Sequence, residues 1–547
     1  MSQENLPTRY SIERLDHLGI IAGVIKDLKI VELINERLGI YPDESLSAGE
    51  TVAGMIINGL GFTSKPLSLT PLFFQHCPLL LLFREGVNAE DFNRFKLGRV
   101  LDRCHGYGTE LLFGEIALNV CRQEQVDTRF NSLDTTSFTL SGDYLAKTDD
   151  DTVAIRLGYS KDHRPDLKQV MLEIMVCHDG GIPLLGKALD GNASDNTVFT
   201  RRSQQLVASF QAAETPRYLI ADCKLYTEEN AANLKDLQFI TRIPNNITQV
   251  RETIERALAA PHDWQRLDDD RQMQAFAVEH YGIKQRWLVV SSETSRQRAA
   301  KKISARVEKE AQAIAKQLFH LQAKRFACAI DATAAAQTLA TSWKNHRLSH
   351  CQVIEHTSYE SKGRPKKGQK PTKVEYQVVA NSAPDSDKIA QTIAKEGHYI
   401  IATNTDSAAL SNSEVVTAYK EQHQVERGFR FLKDPLFFVS SLFVKKPQRI
   451  MALLMVMLLS LLVYGIAERR MRACLAKQQE TLPNQIHQAT ATPTLRWIFQ
   501  LLQGIHCLGI SSVGQKQQVM DGITPLRQKI LLLFGATVAN IYQLSSG

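Results

Sequence analysis

No Cys-x-x-Cys pair occurs in the 547 residues, although nine cysteines are present. Five of them sit beside a histidine, as in His76-Cys77, Cys104-His105, Cys177-His178, His350-Cys351 and His506-Cys507. Neighbouring residues on a strand or helix point in different directions, so these pairs do not form zinc corners by themselves. Disulfide spacing is also lacking, and the chain reads as cytoplasmic with reduced thiols. The first residues, Met-Ser-Gln-Glu-Asn-Leu-Pro, have neither the basic stretch nor the apolar core of a signal peptide. No internal repeat is evident.

Charge of one sign is only mildly in excess, at +7 with a pI near 8.8. Clustered, that excess suits a polyanionic partner; dispersed, it fits a neutral-to-basic enzyme without one. Long apolar runs reduce to one, Ile450 to Ala467, whose single clearly polar side chain is Ser460. Its length is at the lower limit for a membrane span. Lys445, Lys446 and Arg449 precede it and Arg469, Arg470 and Arg472 follow, so the flanking charges give no orientation. A helix buried in a large protein is equally apolar all round, and that reading, with no membrane, is the expectation.

What is present is ordinary in amount, with 44% hydrophobic and 22% charged residues, but too long for one core. From Tyr10 to about Gln123 apolar residues recur at helical spacing, which predicts a separate helical domain over 1–125. The texture then turns to strands: Phe130 to Phe138, Val170 to Cys177, a His-Asp-Gly-Gly turn, and Ile182 to Leu189. A helix over 196–210, the strand Arg217 to Asp222, a helix near Glu228 to Leu237 and the strand Phe239 to Arg242 follow. Three strands, a helix, a strand, a helix and a strand make an α/β arrangement over 126–245. Residues 246–405 differ again, with the strand Trp287 to Val290, a long basic helix over Ala300 to Arg325 and a basic loop from Ser361 to Pro371. They read as a domain interrupting the α/β core, which resumes over 406–472 with a helix from Ser413 to Lys433. A helical C-terminal tail, 473–547, is the last part and a candidate for dimerisation.

Asp134 and Asp222 each fall at or near the end of a predicted strand, where functional side chains of an α/β sheet converge. Either one alone is equally an Asp capping a turn or starting a helix. Tyr419, Gln422, Glu426 and Lys433 are spaced by 3, 4 and 7 positions, which returns to one helical face. Taken alone, that stripe is also an ordinary solvated face.

In combination these residues resemble insertion-sequence DDE transposases of the cut-and-paste group, which carry a Tyr-Arg-Glu-Lys signature around a third acid. Leu133-Asp134-Thr135-Thr136 is similar to the first-acid region. Tyr218 to Asp222, with Thr241-Arg242-Ile243-Pro244 downstream, is similar to the second. Tyr419, Glu426 and Lys433 stand at the signature spacing, with Gln422 where the signature has Arg. Gly158 to Gln169 and Gly191 to Asp195 resemble segments between the first two acids. The resemblance implies a ribonuclease-H-like mixed sheet split by an insertion domain. From Asp134 to Asp222 is 88 positions, enough for strand, hairpin, helix and strand; from Asp222 to Glu426 is 204, enough for a domain.

The resemblance further implies that Asp134, Asp222 and Glu426 hold two Mg²⁺ ions, with Mn²⁺ as a substitute. Hard divalent ions take carboxylate oxygens, and a pair roughly 3.5–4 Å apart serves both the attacking and the leaving oxygen of a phosphodiester. Tyr419, Gln422 and Lys433 would face the phosphates. The implied partner is double-stranded DNA, both transposon ends and target, bound by a homodimer in a prokaryotic cytoplasm. Lys362, Arg364, Lys366 and Lys367 lie in the acid-free loop and suit phosphate contact, and Gly363-Arg364-Pro365 resembles the core of minor-groove hooks. Trp287 suits base stacking or core packing. The Asp162-His163-Arg164 turn and His423 need no function. A DNA-binding relative without catalysis, and a metal nuclease without strand joining, are the competing readings.

Overall fold

The computed structural model describes residues 9–63, 66–140, 144, 151–158, 164, 166–193, 217–221, 223, 226–360, 367–434, 437, 444–512 and 515–544. They divide into two units, Met1–Thr241 with Val416–Gly547, and Arg242–Val415.

The first unit begins where apolar residues recur at helical spacing, with α1 (Leu18–Asp27), α2 (Ile30–Leu38) and α3 (Ala48–Leu60). The short α4 (Thr70–Phe74) and α5 (Leu79–Leu82), then α6 (Arg94–Tyr107) and α7 (Thr109–Gln123), complete this layer. Ser47 caps α3: its hydroxyl accepts from the Glu50 N–H at 3.1 Å, and Glu50 accepts from the Ser47 N–H at 2.8 Å. Such a cap contributes about 1 kcal/mol. The helical pattern does not extend to Tyr10 as expected. Arg9–Arg14 is a strand, β1, whose residues alternate with a period of two and pair with a strand near the other end of the chain.

Five strands then form a mixed sheet: β2 (Phe130–Leu140), β3 (Lys168–Cys177), β4 (Pro183–Leu189), β5 (Tyr218–Ala221) and β6 (Gln238–Arg242). Their order is β4-β3-β2-β5-β6. The β2–β3 and β3–β4 pairs are antiparallel, and β2–β5 and β5–β6 are parallel. Parallel neighbours need a crossover, which α8 (Glu228–Leu234) supplies between β5 and β6. The helix expected over 196–210 lies outside the described residues. β3 is buried on both faces, as its largely apolar run suggests, with Glu173 buried in its middle.

The second unit contains an antiparallel set ordered β12-β9-β8-β7, from β7 (Gln265–Arg266), β8 (Arg271–His280), β9 (Ile283–Ser292) and β12 (His398–Thr403). It also holds α9 (Thr248–Ala259), α10 (Glu293–Gln322), α11 (Ala329–Thr341) and α12 (Ser386–Glu396). α10 starts earlier than the expected Ala300, because the Ser292 hydroxyl accepts from the Ser295 N–H at 3.0 Å and caps it there. Ile314, Leu318 and Leu321 from α10 pack with Ala332, Ala336, Trp343, Val378 and Ala380 in a core of this unit's own. A long hairpin, β10 (His346–Ser358) and β11 (Lys373–Pro384), carries the basic loop at its tip. Trp287 is not a stacking platform: it is fully buried, and its indole N–H donates to Gln285 Oε1 at 2.9 Å.

The chain continues through α13 (Asn412–Lys420), α14 (His423–Leu432) and α15 (Pro447–Gln478). α15 contains the apolar run and is long and apolar enough to cross a membrane, yet 89% of its most apolar window is buried inside the protein. It packs on α1, α3, α6, α7 and β4. Four of its flanking arginines are engaged internally: Arg449 with Asp102 at 2.6 Å, Arg469 with Asp179 at 2.8 Å, Arg470 with Asp27 and Glu124, and Arg472 with Glu468. The Ser460 hydroxyl donates to the Val456 carbonyl one turn back, so the run's polar group is satisfied within the helix. Close approach to the sheet depends on Gly186, where a Cβ would lie 2.1 Å from Leu458.

The C-terminal stretch is not helical throughout, as the sequence pattern suggested. Besides α16 (Leu495–Leu501), α17 (Pro525–Leu532) and α18 (Ala536–Ile541) it has a small hairpin, β13 (Leu482–Pro483) with β14 (Ala489–Thr490). It also has β15 (His506–Ser512) and β16 (Gln515–Asp521), which join β1 in a sheet ordered β1-β15-β16. α18 packs on α1. Gly19 and Gly23 leave room there for Tyr542 and Val538, and the Tyr542 hydroxyl donates to the Asp16 carbonyl. The chain's end thus covers its beginning.

Candidate active site

Asp134 lies midway along β2, half-buried, with its Oδ1 accepting the Thr135 N–H at 2.7 Å. Strand alternation puts Ser132, Asp134, Thr136 and Phe138 on one face. In the parallel ladder each β5 residue is numbered 88 above its β2 partner, as in Ser132 with Ile220. Asp222 follows the last residue of β5 and itself lies outside the described residues.

Glu426 is on α14, exposed. The sequence pattern predicts one helix from Ser413 to Lys433; the structure has two, with the interruption at Glu421 and Gln422. The Gln422 N–H bonds to the Tyr419 carbonyl and the Val425 N–H to the Gln422 carbonyl, so the ladder tightens there to a three-residue step. No Pro or Gly marks the place. Tyr419 therefore lies in the last turn of one helix, Gln422 caps the next, and Lys433 closes it, all three half-buried.

Contacts made by four residues hold α14 in place. Arg427 pairs with the buried Glu468 of α15 at 3.0 Å. The Phe431 ring lies 4.6 Å from that of Tyr464 and 4.8 Å from that of Phe437. Lys433 Nζ sits over the Phe138 ring at 5.8 Å. At the other end, Glu421 Oε2 is 3.4 Å from His178 Nδ1, and His178 Nε2 is 2.8 Å from Ser132 Oγ. The helix is thus tied to β2 at two heights, Ser132 through His178 and Phe138 through Lys433. Asp134 is two strand residues, about 7 Å, beyond Ser132. Glu426 is five helical residues, about 7.5 Å, beyond Glu421. Asp134 and Glu426 thus each lie a short way along the chain from this tie.

Among the described residues no group of three or more His, Cys, Asp and Glu side chains is close enough to hold a metal. Lys362, Arg364 and Lys366 lie outside the described residues, and Lys367 is exposed near the tip of the β10–β11 hairpin. Asp162 and His163 are also outside; Arg164 is paired with Asp166 at 2.8 Å. Nothing is described of the His423 side chain. His178, Glu421 and Glu468 are the residues that sequence reasoning passed over. His178 was visible only as part of a turn, because its partners are 46 and 243 positions away.

No curated protein matches the sequence. Residues 10–118 match a family described as a domain of unknown function (DUF4277). A cryo-EM structure of a piggyBac transposase synaptic complex with hairpin DNA is similar at a TM-score of 0.34 and 10% identity, over 90% of this chain and 82% of that one. The transposase DDE domain model matches residues 131–463, more than half of the chain and the stretch that holds Asp134, Asp222 and Glu426, and the protein belongs to that family.

Proposed function

We propose that the chain cuts DNA at transposon ends and joins those ends to target DNA, with Asp134, Asp222 and Glu426 as the metal-holding acids. One observation carries most of the weight. The β2–β5 ladder has an offset of 88, and Asp134 and Asp222 are separated by the same 88 positions. Residues at equal offset in a parallel pair sit side by side. The order β4-β3-β2-β5-β6 supports a ribonuclease-H-like core, in which a first acid on the central strand neighbours a second at the end of the next. Glu426, on a helix tied to β2 through His178 and Lys433, supplies the third carboxylate.

The donor set fits a hard divalent cation, since all three groups offer carboxylate oxygens and none offers sulfur. Bound there, two Mg²⁺ ions, or Mn²⁺ in their place, would activate the attacking oxygen and stabilise the leaving one. The chain's own part is positional. Lys433, just after the Glu426 helix, and Tyr419, in the last turn of the preceding one, orient the phosphodiester, with Gln422 contributing an amide where the signature has a guanidinium. Lys362, Arg364, Lys366 and Lys367 contact phosphates of the duplex from the hairpin loop. The helical N-terminal layer binds transposon ends, residues 246–405 act as an insertion domain, and two protomers pair two ends, in the cytoplasm.

Cleavage and strand transfer on labelled DNA bearing the element's own ends test this reading. Wild type is expected to cut and join with Mg²⁺ or Mn²⁺, while Asp134→Ala, Asp222→Ala and Glu426→Ala bind DNA but lose at least about a hundredfold in rate. Alanine variants that cut like wild type overturn the acid assignment. A wild type that cuts without joining makes the chain a nuclease, and one that only binds makes it a non-catalytic relative.

A further inference from the structure

We propose that Ser132, His178 and Glu421 form a positioning relay that sets Glu426 against Asp134; this rests on the metal-holding reading of those two acids. The relay joins the strand of the first acid to the helix of the third. Ser132 lies two residues before Asp134 on the same face of β2, and Glu421 lies five residues before Glu426. His178 bridges them, with Nε2 2.8 Å from Ser132 Oγ and Nδ1 3.4 Å from Glu421 Oε2. Its own backbone is fixed as well, since its N–H donates to the Phe130 carbonyl at 3.0 Å.

The direction of the bonds follows from the partners. Nδ1 stands within ion-pair reach of the Glu421 carboxylate, which favours the tautomer with its proton there, and in that tautomer Nε2 accepts from the Ser132 hydroxyl. A Ser-His-Glu string also resembles a hydrolase triad, but Ser132 is fully buried, with no surface for a substrate to reach. Its place in the fold is what gives the string a purpose. Glu421 stands where α13 ends and α14 has yet to begin, and the backbone ladder there is reduced to three-residue steps. An interrupted helix has freedom to slide or pivot at that point. The His178 contact pins the interruption to β2, and the Lys433 contact with Phe138 pins the far end. With both pins in place α14 is held to β2 on either side of Glu426; with the first removed, the pin at Lys433 that remains lies beyond the acid.

Groups that orient metal-holding side chains, when lost, typically weaken metal affinity about 10- to 100-fold. Glu421→Ala is the primary variant because Glu421 is half-exposed and its removal leaves the core intact. His178→Asn keeps a donor near the Nδ1 position but loses the Ser132 link. Three quantities are measured on the full chain: the Mn²⁺ concentration giving half-maximal thermal stabilisation, cleavage of the polypeptide by bound Fe²⁺ with ascorbate, and affinity for end DNA. For Glu421→Ala the half-maximal Mn²⁺ concentration is expected to rise about tenfold. Backbone scission near Glu426 should weaken relative to scission near Asp134, and metal-free melting and DNA affinity should stay at wild-type values. Glu421→Gln, which keeps an acceptor for the Nδ1 proton, should restore most of the metal response. A Glu421→Ala protein with wild-type Mn²⁺ response and scission pattern overturns the relay alone. A wild type that shows neither Mn²⁺ stabilisation nor scission overturns the metal site and the relay with it.

Discussion

His17 stands just before α1 with Nε2 2.9 Å from the Leu60 carbonyl and its ring stacked on Phe499 at 4.1 Å. Burial disfavours the imidazolium and brings its pKa from 6.5 down to about 4, against the opposing pull of the Leu60 carbonyl and Asp16. An unfolded histidine takes up its proton near 6.5 while the folded one waits until about 4. Folding stability is therefore full above pH 6.5, falls as the pH drops through that window, and loses nothing more from this group below it. The fall amounts to about 3 kcal/mol. Urea midpoints recorded between pH 7 and 4 should decline in wild type and decline less in His17→Gln, which keeps a donor for the carbonyl but does not titrate.

At the scale of elements, helix spacing depends on particular residues. A Cβ on Gly49 of α3 would lie 2.2 Å from the Val31 carbonyl oxygen of α2, a backbone atom that no rotamer change moves aside. Gly49→Ala is expected to destabilise by about 1–3 kcal/mol, read as a lower denaturant midpoint. Gly106 in α6 is the opposite case, with nothing within 4 Å of a built Cβ. Gly106→Ala should raise the midpoint by up to about 1 kcal/mol, since only helix propensity changes. Strands were legible at this scale because alternation and apolar runs are local: β3, β5 and β6 fall within a residue or two of their sequence readings. The interruption between α13 and α14 was not, because Lys420-Glu421-Gln422-His423 contains no local breaker. It falls where His178, distant in sequence, meets Glu421.

For the whole molecule, one organising contact within the first unit joins segments near the two ends of the chain. β1 pairs with β15, α18 packs on α1, and Phe499 covers His17. A chain ending at residue 493 would leave Leu15, His17, Gly19 and Gly23 facing water. It should lose the cooperative melting of the first unit and most of its soluble yield, whereas a cut within residues 1–8, upstream of β1, should change neither. Melting curves and soluble fractions of the two truncations decide this; cooperative melting retained by the longer cut would show the N-terminal helices to be self-sufficient.

By itself the sequence determined most of the strands of the α/β core and the helical texture of residues 18–123, and it singled out three acids as candidates. These rest on periods of two and 3.6, on turn residues and on fixed spacings, all of which are local. The resemblance to DDE transposases rested on the same short motifs, and the family match covers them. Only the tertiary structure decided that the apolar run of α15 is a buried core helix whose flanking arginines find acids on α1, α6, α7 and the β3–β4 turn. It alone joined the chain's ends in one sheet and tied the Glu426 helix to β2 at Ser132 and Phe138. Those contacts link residues hundreds of positions apart, where the chain's own periodicity carries no information and packing, charge pairing and hydrogen-bond satisfaction make the choice.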